Sequence, residues 1–153
     1  MKRRHLRADA IAFCRTLRRQ RPDIVVGGVI IAGVPTETEE MFARSLDLVD
    51  ECGLAHLHVF PFSPRPGTPA ARMPQVARSA VRDRARRLRQ KGAAALVRHL
   101  DRAIGTRCRV LMESPQLGRS EHFFEVRTDF PLAAGTIVEL PVARHDGQRL
   151  LAA

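Results

Sequence analysis

The uninterrupted apolar run Ile24-Val25-Val26-Gly27-Gly28-Val29-Ile30-Ile31-Ala32 constrains this chain most. β-Branched residues with no polar alternation predict a parallel strand covered on both faces. A parallel partner requires a crossover, and the next segment supplies one. Gly33-Val34-Pro35 makes a turn, and Thr36 with Glu39 three residues on reads as a capping box opening a helix. Phe42, Leu46, Val49 and Cys52 then recur at helical spacing, and Gly53 suits the helix C-terminal end. A second strand, His56-Leu57-His58-Val59-Phe60, completes a βαβ unit. Upstream, Ile11, Cys14 and Leu17 form the apolar stripe of a helix over residues 8–21 that Pro22 ends.

Two parallel strands leave open edges and an uncovered face, so the unit is expected to belong to a larger α/β sheet or barrel, with the chain beginning in the middle of that fold. The segment Pro61-Phe62-Ser63-Pro64-Arg65-Pro66-Gly67-Thr68-Pro69 is too proline-rich for helix or strand. It is an extended loop at the C-terminal end of the second strand, where α/β folds bind their ligands.

A long helix is expected from about residue 76 to 104, with Val81, Ala85, Leu88, Leu96 and Leu100 on its apolar side. Residues 76–106 carry 9 basic and 2 acidic side chains, against 11 and 8 in residues 1–75 and 6 and 6 in residues 107–153. Most of the net charge of +10 therefore lies on this helix, where Arg78, Arg82, Arg86 and Arg89 share one face. Such a face is either solvated or set against a polyanion. Beyond Gly105 the apolar pattern changes to period two, in strands at 108–113, 121–127, 136–142 and 148–151. Turns at Pro115-Gln116-Leu117-Gly118, Ala134-Gly135 and Asp146-Gly147 complete the signature of a small β-barrel. In it, Arg119, Ser120, His122, Phe123 and Phe124 combine cations with stackable rings, as RNA loops require. Strand alternation should leave only one of the two phenylalanines exposed.

The chain has no apolar stretch of membrane-spanning length, and its basic start is not followed by a signal-peptide core, which places it in the cytoplasm with no membrane partner. Cys14, Cys52 and Cys108 are too widely spaced for a disulfide framework or metal knuckle and are expected to be buried thiols. His56 and His58 share a strand face without a second pair of ligands, so no metal site is assigned.

Together the segments resemble the bacterial tRNA methylthiotransferases, radical S-adenosylmethionine enzymes that add a methylthio group to a modified adenosine beside the anticodon. Val29-Ile30-Ile31-Ala32-Gly33-Val34-Pro35-Thr36-Glu37-Thr38-Glu39 is similar to their Asp-Ile-Ile-Val-Gly-Phe-Pro-Gly-Glu-Thr-Glu strand and turn. His58 to Ala70 resembles their loop ending in Ser-x-Arg-x-Gly-Thr-x-Ala, with wording nearest the threonylcarbamoyladenosine branch. Val110-Leu111-Met112-Glu113 and Gly118-Arg119-Ser120-Glu121-His122-Phe123 resemble the RNA-binding TRAM barrel that ends these enzymes. Where the family has aspartate, phenylalanine and tyrosine, this chain has Val29, Val34 and Phe62.

The resemblance implies an α/β fold made of a partial (β/α) radical-SAM barrel over residues 1–75, a basic connecting helix over 76–106 and a TRAM-like β-barrel over 107–153. It implies S-adenosylmethionine and 4Fe-4S clusters as cofactors of the parent enzyme, with Arg3, Gly33 and Pro35 at cofactor-binding positions. The cluster motif Cys-x3-Cys-x2-Cys is missing. The chain alone is therefore expected to have no catalytic residues and no activity, and to bind tRNA through Arg65, Arg119, Ser120, His122, Phe123 and Phe124. Its expected partners are tRNA and the missing N-terminal part of the enzyme. The alternative is a stand-alone basic RNA-binding protein without catalysis.

Overall fold

A computed structural model describes residues 5–153. Two compact units, Met1–Ala95 and Leu96–Ala153, divide within the long helix.

The first unit runs α1 (Arg7–Gln20), β1 (Val26–Ala32), α2 (Glu39–Glu51), β2 (Leu54–Pro61), a 3-10 turn (Pro69–Arg72) and the first part of α3 (Arg78–Ala103). Strands β1 and β2 pair in parallel, with Val29 opposite His58, Ile30 opposite Val59 and Ile31 opposite Phe60. One face of this pair meets the helices. Val26, Ile30, Leu57 and Val59 pack on a core of Ile11, Cys14, Phe42, Val49, Cys52, Ala85 and Leu88. On the other face Val29 is 60% exposed and Phe60 55%. Among the described residues helices cover one side only, which leaves the bare face expected of two parallel strands by themselves.

Local chemistry sets the helix ends. The Thr38 hydroxyl, not that of Thr36, caps α2 by accepting the Met41 amide at 3.2 Å. Thr36 instead occupies the left-handed region at φ 65°, so the capping box expected from Thr36 and Glu39 does not form. At the other end of α2, the Arg18 guanidinium donates to the carbonyls of Cys52 and Gly53, where the helix dipole is negative.

The second unit contains a closed barrel ordered β3-β4-β5-β7-β6, formed by β3 (Arg107–Ser114), β4 (Leu117–Ser120), β5 (Glu125–Thr128), β6 (Ile137–His145) and β7 (Leu150–Ala152). All its pairings are antiparallel except β5 with β7. Alternation sends Cys108, Val110, Met112, Val126, Leu140, Val142 and Leu150 inward. The small barrel expected at this end of the chain is present, with two local differences. Leu117 and Gly118 belong to a strand rather than a turn, and Glu121 to Phe124 form a turn rather than a strand. Gly118 is required there, since a Cβ would lie 2.5 Å from the Leu111 carbonyl oxygen and 2.6 Å from Val110 Cγ1.

Candidate nucleic-acid interface

The barrel's outer surface carries an apolar patch. Leu111 and Ile137 are register partners on β3 and β6, and Arg119 on β4 is the other partner of Leu111. Ile137 is 68% exposed and Phe123 72%. These four side chains, with Arg109, Glu113, Ser120 and Glu121, line a cavity of about 250 Å3. Leu111, Ile137 and Arg109 were not foreseen from the sequence. Their signal was the outward phase of β3 and the apolar character of Ile137, legible only once strand boundaries and pairing were known.

The two phenylalanines divide as expected, with Phe123 outside and Phe124 inside at 6% exposure. Ser120 sets this division. Its hydroxyl accepts the His122 amide at 3.3 Å and the Phe124 amide at 3.2 Å, while its carbonyl accepts the Phe123 amide at 2.9 Å. Buried Ser120 and Phe124 therefore build the turn, and Phe123 is the ring that the turn presents. Half-buried His122 belongs to the same turn. Arg119 is held by Glu113 at 3.0 Å and Glu125 at 3.3 Å, and Glu125 also binds Arg149 at 2.6 Å. Its charge is largely answered within the barrel.

Arg65 lies far along the sequence from that patch, in the first unit. The proline-rich loop surrounds a cavity of about 980 Å3 lined by Ile31, Phe60, Phe62, Ser63, Arg65 and Thr68, among others. The loop is ordered by Thr68, whose hydroxyl donates to the Arg65 carbonyl at 2.8 Å and accepts the Ala71 amide at 3.3 Å.

Gly33 and Pro35 sit in the turn after β1. The Gly33 amide donates to Glu37 Oε2 at 2.9 Å, and at φ 76° a Cβ on Gly33 would lie 2.6 Å from Val81 Cγ2. Glu37 is in turn bound by Arg84 of α3 at 2.9 Å, a pair with side chains only 6% and 9% exposed. Arg84 also donates to the Glu37 carbonyl at 2.8 Å and lies with Arg87 over the Phe42 ring. This buried pair was missed because Arg84 is one of many arginines on α3 and its partner is 47 residues away. The glycine at 33 is explained by close packing, its amide is already engaged, and Pro35 is buried without an N–H. Arg3 lies outside the described residues.

The thiols do not fit an iron–sulfur cluster. Cys14 and Cys52 are buried neighbours in the first unit's core, whereas Cys108 is buried in the barrel. Burial, reinforced by Cys14, pushes the Cys52 thiol up to about 11, and burial with Glu121 nearby does the same to Cys108. Cluster ligation requires thiolates, which these environments disfavour. Among the described residues no helix is long and apolar enough to cross a membrane.

No family model matches the chain. It is 48% identical over 137 residues to the threonylcarbamoyladenosine tRNA methylthiotransferase MtaB of Rickettsia prowazekii, covering 90% of this chain and 32% of the relative. It is 38% identical over 151 residues to the tRNA-2-methylthio-N(6)-dimethylallyladenosine synthase of Jannaschia sp., covering 94% of this chain and 33% of that protein. A second MtaB, from Thermotoga maritima, is 38% identical over 114 residues, covering 74% of this chain and 26% of the relative. The chain thus spans about a third or less of the length of these curated relatives. By sequence it belongs to the tRNA methylthiotransferase family.

Proposed function

We propose that this chain is the C-terminal part of a tRNA methylthiotransferase of the threonylcarbamoyladenosine type, and that its own contribution is tRNA binding. The identity to the Rickettsia prowazekii relative carries the reading, because it extends across nearly the whole chain. On this reading residues 107–153 are a TRAM-like RNA-binding barrel, residues 76–106 a basic connecting helix, and residues 1–75 part of a cytoplasmic enzyme's radical-SAM β/α barrel. The bare face of β1 and β2 supports that last assignment, since an interior barrel face would be completed by further strands.

S-adenosylmethionine and the 4Fe-4S clusters then belong to the longer enzyme, where they would supply the radical and sulfur chemistry. This chain's side chains would bind and orient the tRNA: Phe123 by stacking, with Arg65, Arg119 and His122 beside the loop and turn that carry them, and Ser120 and Phe124 holding that turn. The test is equilibrium binding of the chain to a transfer-RNA anticodon arm at several salt concentrations. Binding that weakens steeply with salt and prefers the looped RNA over a duplex of the same length is expected. Equal affinity for both, or S-adenosylmethionine cleavage by the isolated chain after iron–sulfur reconstitution, would overturn the reading.

A further inference from the structure

We infer that the patch on the outer face of β3, β4 and β6 is a slot for one unpaired nucleobase of RNA, and that it selects the base rather than the phosphate. The inference rests on the tRNA-binding reading and names what one part of that surface would hold.

Leu111, Phe123 and Ile137 are exposed apolar side chains around one cavity. Single exposed apolar residues are ordinary, whereas three around one cavity give it a shared apolar lining. The cavity of about 250 Å3 falls below the ~300–1,000 Å3 typical of pockets for drug-sized ligands. It suits a single ring system with one open side.

Charge decides which part of a nucleotide enters. The cavity is lined by Arg109 and Arg119 but also by Glu113 and Glu121, so its formal charge is zero. Arg119 is already engaged by Glu113 and Glu125. A phosphate would find little net attraction and two nearby carboxylates, whereas a neutral base can stack on Phe123 and cover Leu111 and Ile137. Arg119 is then a positioning residue, braced between β3 and β5. Exposed Arg109 remains at the margin for a flanking phosphate.

Backbone geometry supports a presented ring. Phe123 stands at φ 64°, a left-handed conformation that bulky residues rarely adopt. The amide bonds around Ser120 hold it there while Phe124 anchors the turn in the core. Glycine would fit the same backbone without strain, which makes Phe123→Gly a variant that removes the ring and keeps the turn.

The experiment measures binding of the full chain to a fluorescent hairpin with a seven-nucleotide loop, and to the same hairpin made abasic at each loop position in turn. Native protein should lose roughly 5- to 150-fold in affinity at one abasic position, the range expected for one stacked base. Phe123→Gly should weaken the intact hairpin similarly, bind the abasic hairpin as native does, and leave the salt dependence unchanged. Phe123→Trp should restore affinity for the intact loop. RNA binding indifferent to Phe123 and to every abasic site overturns this inference while leaving the tRNA-binding reading in place. Absence of any RNA binding overturns both. Self-association that Phe123→Gly abolishes, with RNA affinity unchanged, would make the patch a protein interface instead.

Discussion

The Arg84–Glu37 pair permits a quantitative prediction, because both side chains are nearly sealed from water. Arg84→Met retains an unbranched apolar stem but removes the guanidinium that meets Glu37 Oε2 at 2.9 Å and the Glu37 carbonyl at 2.8 Å. The carboxylate keeps the Gly33 amide at 2.9 Å but loses the compensating charge. Removing one member of a buried pair destabilises by about 3–5 kcal/mol. A domain of this kind is stable by roughly 5–15 kcal/mol, so the first unit would become marginal. Glu37→Gln in the same background removes the stranded charge but keeps an acceptor for Gly33. The double variant should therefore recover at least about 1 kcal/mol relative to the sum of the single losses. With no tryptophan or tyrosine in the chain, urea unfolding is best followed by far-ultraviolet circular dichroism, with hydrogen exchange at β1 and α2 to identify the unit affected. A loss below about 1 kcal/mol in Arg84→Met, or strict additivity in the double variant, would refute the argument that an unpaired buried charge dominates.

Gly118→Ala should destabilise the second unit by about 1–3 kcal/mol through overpacking, because the new methyl meets the Leu111 backbone; differential hydrogen exchange should show the loss on β3 and β4. Thr38→Ala should cost about 1 kcal/mol at the α2 N-terminus, whereas Thr36→Gly should be neutral or stabilising, a contrast readable by thermal unfolding. Raised thiol values at Cys52 and Cys108 favour the protonated form in the folded state. Their stabilisation is full below the ordinary thiol value of about 9.0 and is lost as pH rises toward about 11. Cys108→Ala should flatten that alkaline decline in the barrel, and all three native thiols should resist an aromatic disulfide reagent until unfolding.

The elements readable from the sequence were those whose signal is periodic and local. The apolar run of β1, the stripe of α2 and the alternation along β3 all correspond to observed elements. What escaped was set by contacts distant in sequence or by a single dihedral. Both Thr36 and Thr38 precede acidic residues, and only the positive φ of Thr36 removes it as the cap. Glu121 to Phe124 carry residues suited to a strand, yet the Ser120 hydroxyl captures the two amides that a strand would have paired. On α3 the arginines look alike as letters. Arg78, Arg82, Arg86 and Arg89 are exposed as a common face predicts, while Arg84 turns inward because Glu37 waits there. Among the RNA-contacting residues proposed from sequence, alternation implied that one of Phe123 and Phe124 would be exposed but not which, since the Ser120-built turn decides it, and the apolar neighbours Leu111 and Ile137 required the register of β3 with β6.

The uncovered side of β1 and β2 has a practical consequence. Val29, Ile31 and Phe60 offer a native, ordered surface to which solvatochromic dyes can adhere. A dye-based melting experiment on this chain would start bright and change little on heating, and would underreport a cooperative transition that circular dichroism resolves. The same surface should make the protein's solubility sensitive to sulfate and other strongly excluded salts, which strengthen apolar association.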